Sequence, residues 1–198
     1  IGSAVEKASP GKWVLAFGWE PVLVKDLRNP TLAELDSISP EVPVFILTQM
    51  MHQAFVNNAV YKAAEITRDT PDPPGGGTFL KDEQGNLNGV IYEFSALQDI
   101  LKKMPKTPQG TAELLLNLQY AKYAKAGYTT IAALGPVNLA GNPLNFMASL
   151  SRNTGVPVRS FVYPIKKQLD SSSWPSGYGN DHFRIKGVKL YMDGSPYT

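Results

Sequence analysis

Apolar and polar positions alternate in two different rhythms along the chain. In the first half, two unbroken apolar runs, Trp13 to Phe17 and Val42 to Leu47, have the length and composition of buried strands. Pro43 falls at the start of the second run, where a strand tolerates it. Between them, Arg28-Asn29-Pro30-Thr31 forms a turn that opens a short helix with Leu32 and Leu35 inward, ending before Pro40. Thr31 and Glu34 have the spacing of a capping box, in which each side chain satisfies a backbone N–H of the first turn. Asn57 or Asn58 is placed to cap a further helix running to about Ile66, with Val60, Ala63 and Ala64 on its apolar face. Residues 68–77 are rich in proline and glycine and read as loop. Thr78 to Leu80 and Gly89 to Tyr92 then read as a hairpin around Gly85-Asn86. Ser95 and Gln98 repeat the capping-box spacing, opening a helix that buries Leu97, Ile100 and Leu101.

The rhythm changes near Lys106-Thr107-Pro108, which divides the chain into expected regions 1–106 and 107–198. Thr111 to Ala126 is the longest helical pattern, with Leu114, Leu115, Leu118 and Ala121 on one face and Gly127 where a terminating glycine belongs. Thr129 to Leu134 follows as a short strand. Asn142-Pro143 opens a helix that uses Leu144, Met147 and Leu150 and closes at Gly155. Val156 to Tyr163 is the next strand, and strand–helix–strand predicts a parallel crossover. Residues 166–180, rich in Ser, Gly and Tyr, read as a lid-like loop. In Lys186 to Met192, Val188, Leu190 and Met192 alternate with Lys189, Tyr191 and Asp193. This is the period of a strand, which Asp193-Gly194-Ser195-Pro196 would end. The fold class is α/β.

Composition narrows the functional classes. Of 198 residues, 43% are hydrophobic and 18% charged, which fits a soluble globular protein rather than a disordered one. Lys and Arg total 19 against 17 Asp and Glu, a balance that gives no footprint for nucleic acid or an anionic membrane. No run approaches a membrane span. Without cysteine there is neither a disulfide nor a thiolate metal site, which does not decide the compartment; a cytoplasmic location is expected ahead of a secreted one. The opening Ile1-Gly2-Ser3 lacks a methionine and the chain stops just past a motif, as expected of a piece of a longer protein.

Lys189 and Asp193, four residues apart on one strand, would share a face that ends at a turn. Two readings stay open: a half-buried structural ion pair, or chemistry at a strand's carboxyl end, where α/β enzymes place it. The run Lys189-Leu190-Tyr191-Met192-Asp193-Gly194-Ser195 resembles the K-L-x-x-D-G-S segment of the amidohydrolase superfamily, in the branch called amidohydrolase family 3, which includes N-substituted formamide deformylases. Further stretches follow in that branch's order. They are Gly18-Trp19-Glu20 with Pro30-Thr31 and Leu35-Asp36, then Val42-Pro43-Val44 with His52 and Asn57. Thr70-Pro71-Asp72-Pro73 with Gly75-Gly76, Gly85 to Gly89 with Glu93, and Gly127-Tyr128-Thr129-Thr130 complete the set. The resemblance spans nearly the whole chain. Where its pattern has a glycine before the histidine, this chain has Met51.

The resemblance implies part of a (β/α)8 barrel, its second to fourth strands, with residues 1–106 as a mixed α+β insertion that recognises substrate. It implies a metal-dependent hydrolase acting on amide or formamide C–N bonds of a small molecule, with a divalent metal, zinc first. Lys189 would be catalytic and, once carboxylated, a metal ligand; His52, Asn57 and Asp193 would bind substrate. The family's remaining ligands, a His-x-His pair, two further histidines and an aspartate, do not occur here at their places. The isolated chain is therefore expected to be inactive, and the rest of the parent barrel is its expected partner. A second class stays open, a recognition domain with no chemistry of its own. Gly75-Gly76-Gly77 has no following lysine and is a turn rather than a phosphate loop. There is no G-x-S-x-G elbow.

Overall fold

A computed structural model describes residues 1–9, 11–106, 110–136, 143–152, 156–170 and 174–192, apart from the side chains of Leu150 and Ser151. The chain divides into two compact units, Ile1–Pro105 and Lys106–Met192. Among the described residues no helix is long and apolar enough to cross a membrane.

The first unit runs α1 (Gly2–Glu6), β1 (Val14–Trp19), a 3-10 turn (Pro21–Leu23), α2 (Leu32–Ile38), β2 (Val44–Thr48), β3 (Gln53–Val56), α3 (Asn58–Ala64), β4 (Thr78–Lys81), β5 (Leu87–Tyr92) and α4 (Glu93–Leu101). Its five strands lie in the order β1-β2-β3-β5-β4. The first pair is parallel, bridged by α2, and the other pairs are antiparallel. The unbroken apolar run of β2 is explained by burial on both faces. Phe45 and Leu47 pack with Val60, Tyr61, Leu97 and Ile100 from α3 and α4. Val44 and Ile46 pack on the opposite side with Val14, Leu35 and Phe55.

Local chemistry fixes the helix starts. The Thr31 hydroxyl accepts from Glu34 N–H at 3.3 Å, and the Glu34 carboxylate accepts from Thr31 N–H at 2.9 Å, the expected capping box. Arg28 reaches the same carboxylate with two nitrogens, at 2.9 and 2.5 Å. These bonds, the Arg28 pair first, hold the exposed Glu34 carboxyl down at about 2. Asn57 caps α3 by accepting from Val60 N–H. Gly89 has φ +88, and a Cβ there would meet Leu32 and the Val56 carbonyl, so β5 and α2 approach this closely only through glycine.

The residues after His52, to which the sequence pattern assigns no element, form a strand, β3. One expectation for this unit is corrected. Helix α4 begins at Glu93, directly after β5, instead of at a Ser95 cap, and its N-cap Tyr92 has no side-chain capping bond. Ser95 Oγ is buried against the 75–77 turn without a hydrogen-bond partner among the described residues.

The second unit runs α5 (Thr111–Lys125), β6 (Thr130–Leu134), α6 (Pro143–Ser151), β7 (Arg159–Tyr163), α7 (Lys166–Asp170) and β8 (Phe183–Ile185). Its strands are parallel, in the order β6-β7-β8. Their alternation sends Val162, Phe183 and Ile185 against Leu144, Met147 and Ala148 of α6. Tyr120 of α5 is buried with Val156 and Val158, its hydroxyl 2.6 Å from Ser160 Oγ. Gly127, at φ +89, terminates α5 as expected.

Three expectations are corrected in this unit. The buried face of α5 is Leu116, Tyr120, Tyr123 and Ala124, whereas Leu114 and Leu115 are each 60% exposed and Leu118 is 52% exposed. Apolar residues and the polar Glu113, Asn117, Gln119, Lys122 and Lys125 are spread around the whole helix, so its periodicity does not single out a face. Residues 166–180 contain α7, and the Gly177–Asn180 stretch turns back to hydrogen-bond Phe183 and Ile185. The last strand is Phe183–Ile185; beyond it Lys186 N–H still donates to the Val162 carbonyl of β7 at 3.0 Å, and Lys189 forms an isolated bridge with Ile165. Asn142, Leu150's side chain, Gly155 and Asp193 onward lie outside the described residues.

Candidate functional site

Strand directions gather one set of side chains at one end of the first unit's sheet. β1 and β2 finish there, while β3 starts there and β5 ends there. The turn leaving β2 is tied to the end of β1 by Gln49 N–H donating to the Trp19 carbonyl at 3.0 Å. His52 immediately precedes β3 and Glu93 immediately follows β5. The register Gln53↔Tyr92 therefore makes them neighbours across the ladder despite 41 residues of separation. Glu93 N–H donates to the His52 carbonyl at 2.7 Å, and His52 Nδ1 lies 2.9 Å from Glu93 Oε2. The side chains are 37% and 18% exposed.

Both sides of this pair are held in an unusual backbone. Met51 and Glu93 each have φ +62, a conformation that side chains other than those of Gly, Asn and Asp adopt rarely. The glycine that the family pattern places before the histidine has its physical explanation here. Met51 adopts the same left-handed turn at a cost that glycine avoids.

Asn57 stands elsewhere, and its expected substrate contact is corrected. It is fully buried; its amide nitrogen donates to the Ser39 and Val42 carbonyls at 2.6 and 2.9 Å, and its oxygen accepts from Val44 N–H at 2.9 Å. It locks the start of α3 to the entry of β2, and no face of it is open to a ligand.

Lys189 belongs to the second unit. Because β6, β7 and β8 are parallel, their carboxyl ends share one edge, and Lys189 lies at it. Its N–H donates to the Pro164 carbonyl just after β7 at 2.9 Å. A Cβ on Gly135, just after β6, would lie 3.6 Å from Lys189 Cγ and 3.2 Å from the Tyr191 hydroxyl. The ammonium sits 4.9 Å from the centre of the Tyr191 ring. Leu190 and Met192 are exposed, Met192 at 93%.

The residues do not by themselves fit a metal. No three His, Cys, Asp or Glu side chains converge among the described residues. A lysine ammonium has no lone pair to offer a cation. Sequence reasoning named His52 but gave Glu93 no role, and the signal that joins them is the ladder between β3 and β5.

Residues 1–197 match the sequence model of a family described as "Amidohydrolase family". The exoenzymes regulatory protein AepA of Pectobacterium carotovorum subsp. carotovorum is 27% identical over 176 residues, 84% of this chain and 37% of that protein. The N-substituted formamide deformylase of Arthrobacter pascens is 33% identical over 87 residues, 44% of this chain and 16% of the enzyme. An uncharacterized metal-dependent hydrolase from Pyrococcus furiosus shares the fold with a TM-score of 0.57 at 22% identity, covering 98% of this chain and 38% of that structure. The chain thus spans well under half the length of the relatives it matches.

Proposed function

Because the chain belongs to the amidohydrolase family, we propose that it is part of a longer metal-dependent hydrolase that cleaves amide- or formamide-type C–N bonds of small molecules. The observation that carries this reading is the place of Lys189, at the shared carboxyl edge of three parallel strands, where barrel enzymes hold their chemistry. The three strands correspond, in this reading, to the second, third and fourth of a (β/α)8 barrel, and the first unit is the insertion that shapes the substrate pocket. The rest of the barrel would supply the histidines and aspartate missing from this chain. Zinc is the metal this reading favours; when bound, it would supply an activated water.

Lys189 needs a chemical change to take part. Its neutral amine would add to carbon dioxide, forming an N–C bond and releasing a proton, and the carbamate product is an anionic oxygen ligand. His52 would contact substrate from the insertion, and Asp193 would be a further substrate-binding residue. The chain alone should show no hydrolase activity and should retain zinc weakly.

The test is formate or carboxylate release from N-substituted formamides and amides by the full-length gene product, before and after chelation. Release that stops with chelation and returns with zinc is expected. Release that ignores chelation would contradict the reading. A second reading, a recognition domain without chemistry, is favoured by the lack of a metal-ligand trio among the described residues. A His-x-His pair encoded upstream of Ile1 supports the hydrolase; its absence supports the recognition domain.

A further inference from the structure

The His52–Glu93 pair has a property that neither residue has alone. We propose that Glu93 is a positioning residue that fixes the His52 tautomer, so that Nε2 forms a hydrogen-bond acceptor site for the N–H of a secondary amide with an apolar N-substituent. The choice of ligand rests on the hydrolase reading above.

A carboxylate can only accept, so the 2.9 Å contact makes His52 Nδ1–H the donor and Glu93 Oε2 the acceptor. A neutral imidazole then carries its lone pair on Nε2. That nitrogen makes no hydrogen bond among the described residues, and the side chain is 37% exposed. The geometry is held from both sides. Glu93 N–H closes a second link onto the His52 carbonyl at 2.7 Å, so backbone and side chain clamp the same residue. Both flanking left-handed residues, Met51 and Glu93 itself, maintain a backbone that costs energy and is retained where geometry matters. The chain neighbours Met50, Met51 and Phe94 are exposed large apolar side chains, which suit an apolar body beside a single polar anchor. An anionic ligand would meet the Glu93 carboxylate, so a neutral N–H donor fits better.

The experiment uses the chain labelled with 15N at histidine. It holds two histidines, and His182→Gln assigns the spectrum. At neutral pH the protonated nitrogen of His52 should be Nδ1 and the lone-pair nitrogen Nε2. The reverse tautomer overturns the proposal. Titration with N-butylacetamide should shift the Nε2 resonance saturably, and N-butyl-N-methylacetamide, which lacks the N–H, should bind about tenfold more weakly. Glu93→Gln, whose amide no longer dictates the tautomer, should mix the two tautomers and weaken the secondary amide several-fold while the fold persists. Equal binding of the two amides, or no shift at His52, overturns the proposal. The hydrolase reading fails separately, by chelator-insensitive turnover of the full-length protein, and that result leaves tautomer and N–H selectivity as expected here.

Discussion

The two units bury their sheets differently, although both leave large apolar side chains in solvent, Phe17, Val22 and Leu23 among those of the first. The first buries both faces of its central strand β2, with helices on each side, and its fully buried side chains include Phe45, Phe55, Phe79, Leu97 and Ile100. The second packs one face of its sheet against α5 and α6 but leaves Leu134, Leu190 and the Leu114–Leu115–Leu118 side of α5 in solvent. The contrast teaches that the first unit is organised around its own core. The second builds its core against α5 and α6, and the candidate lysine lies in that unit.

The sharpest way to break the comparison is to truncate one large side chain in each unit. Phe55→Ala should cost about 3–5 kcal/mol, because Phe55 is 1% exposed and packs between β2 and α2. Leu118→Ala should change stability by less than about 0.5 kcal/mol in the isolated chain. Denaturant unfolding of both variants checks this, and an equal loss at Leu118 would show that its face is already covered.

Next in size is Asn57→Ala, which strands a buried N–H of Val44 and two carbonyls at once. A loss of about 2–4 kcal/mol is expected from the unsatisfied groups. The same denaturation measurement tests it, and a loss within experimental error would mean that water replaces the amide.

Smaller again is the glycine pair in the turn against α4. A Cβ on Gly77 would overlap Ser95 Oγ and the Ala96 nitrogen, whereas one on Gly76 meets nothing within 4 Å and suffers only from φ +84. Gly77→Ala should cost about 1–3 kcal/mol and Gly76→Ala about 1 kcal/mol, read as midpoint shifts. The reverse order would refute the close approach.

The smallest effect is acid dependence. Glu34 is held down to about 2 from an ordinary 4.5, mainly by Arg28 and then by Thr31. A depressed carboxyl contributes stability above its unfolded value and loses it as pH falls toward its folded value. Glu34→Gln should therefore flatten the decline in stability between about pH 4.5 and 2 and shift it little at neutral pH. An unchanged acid limb would show that the ion pair contributes nothing measurable.

What was legible in the sequence follows the range of the interactions. The capping box at Thr31, the Asn57 cap, the β4–β5 hairpin and the helix-ending Gly127 are local, and each appears where its residues place it. Strand β3 was missed because four residues between a turn and a cap are too few for a period to register. That miss hid the site. The His52–Glu93 contact exists only through the β3–β5 register, so 41 residues of separation gave no sequence signal. The face of α5 was misread because several leucines and tyrosines surround the helix, and tertiary contact chose Leu116 and Tyr120. The alternation after Lys186 has a strand's period, yet the pairing strand is the preceding Phe183–Ile185.

The central claim, that Lys189 becomes a metal ligand at the sheet's carboxyl edge, is tested most directly by the metal content of the full-length protein. Wild type and Lys189→Ala should be purified identically and their bound zinc counted by elemental analysis. Removing an anion from between cations should collapse metal retention in Lys189→Ala, and Lys189→Glu should recover part of it with a carboxylate on a shorter stem. An unchanged metal count in Lys189→Ala would contradict the claim and leave Lys189 as a structural residue packed over Tyr191.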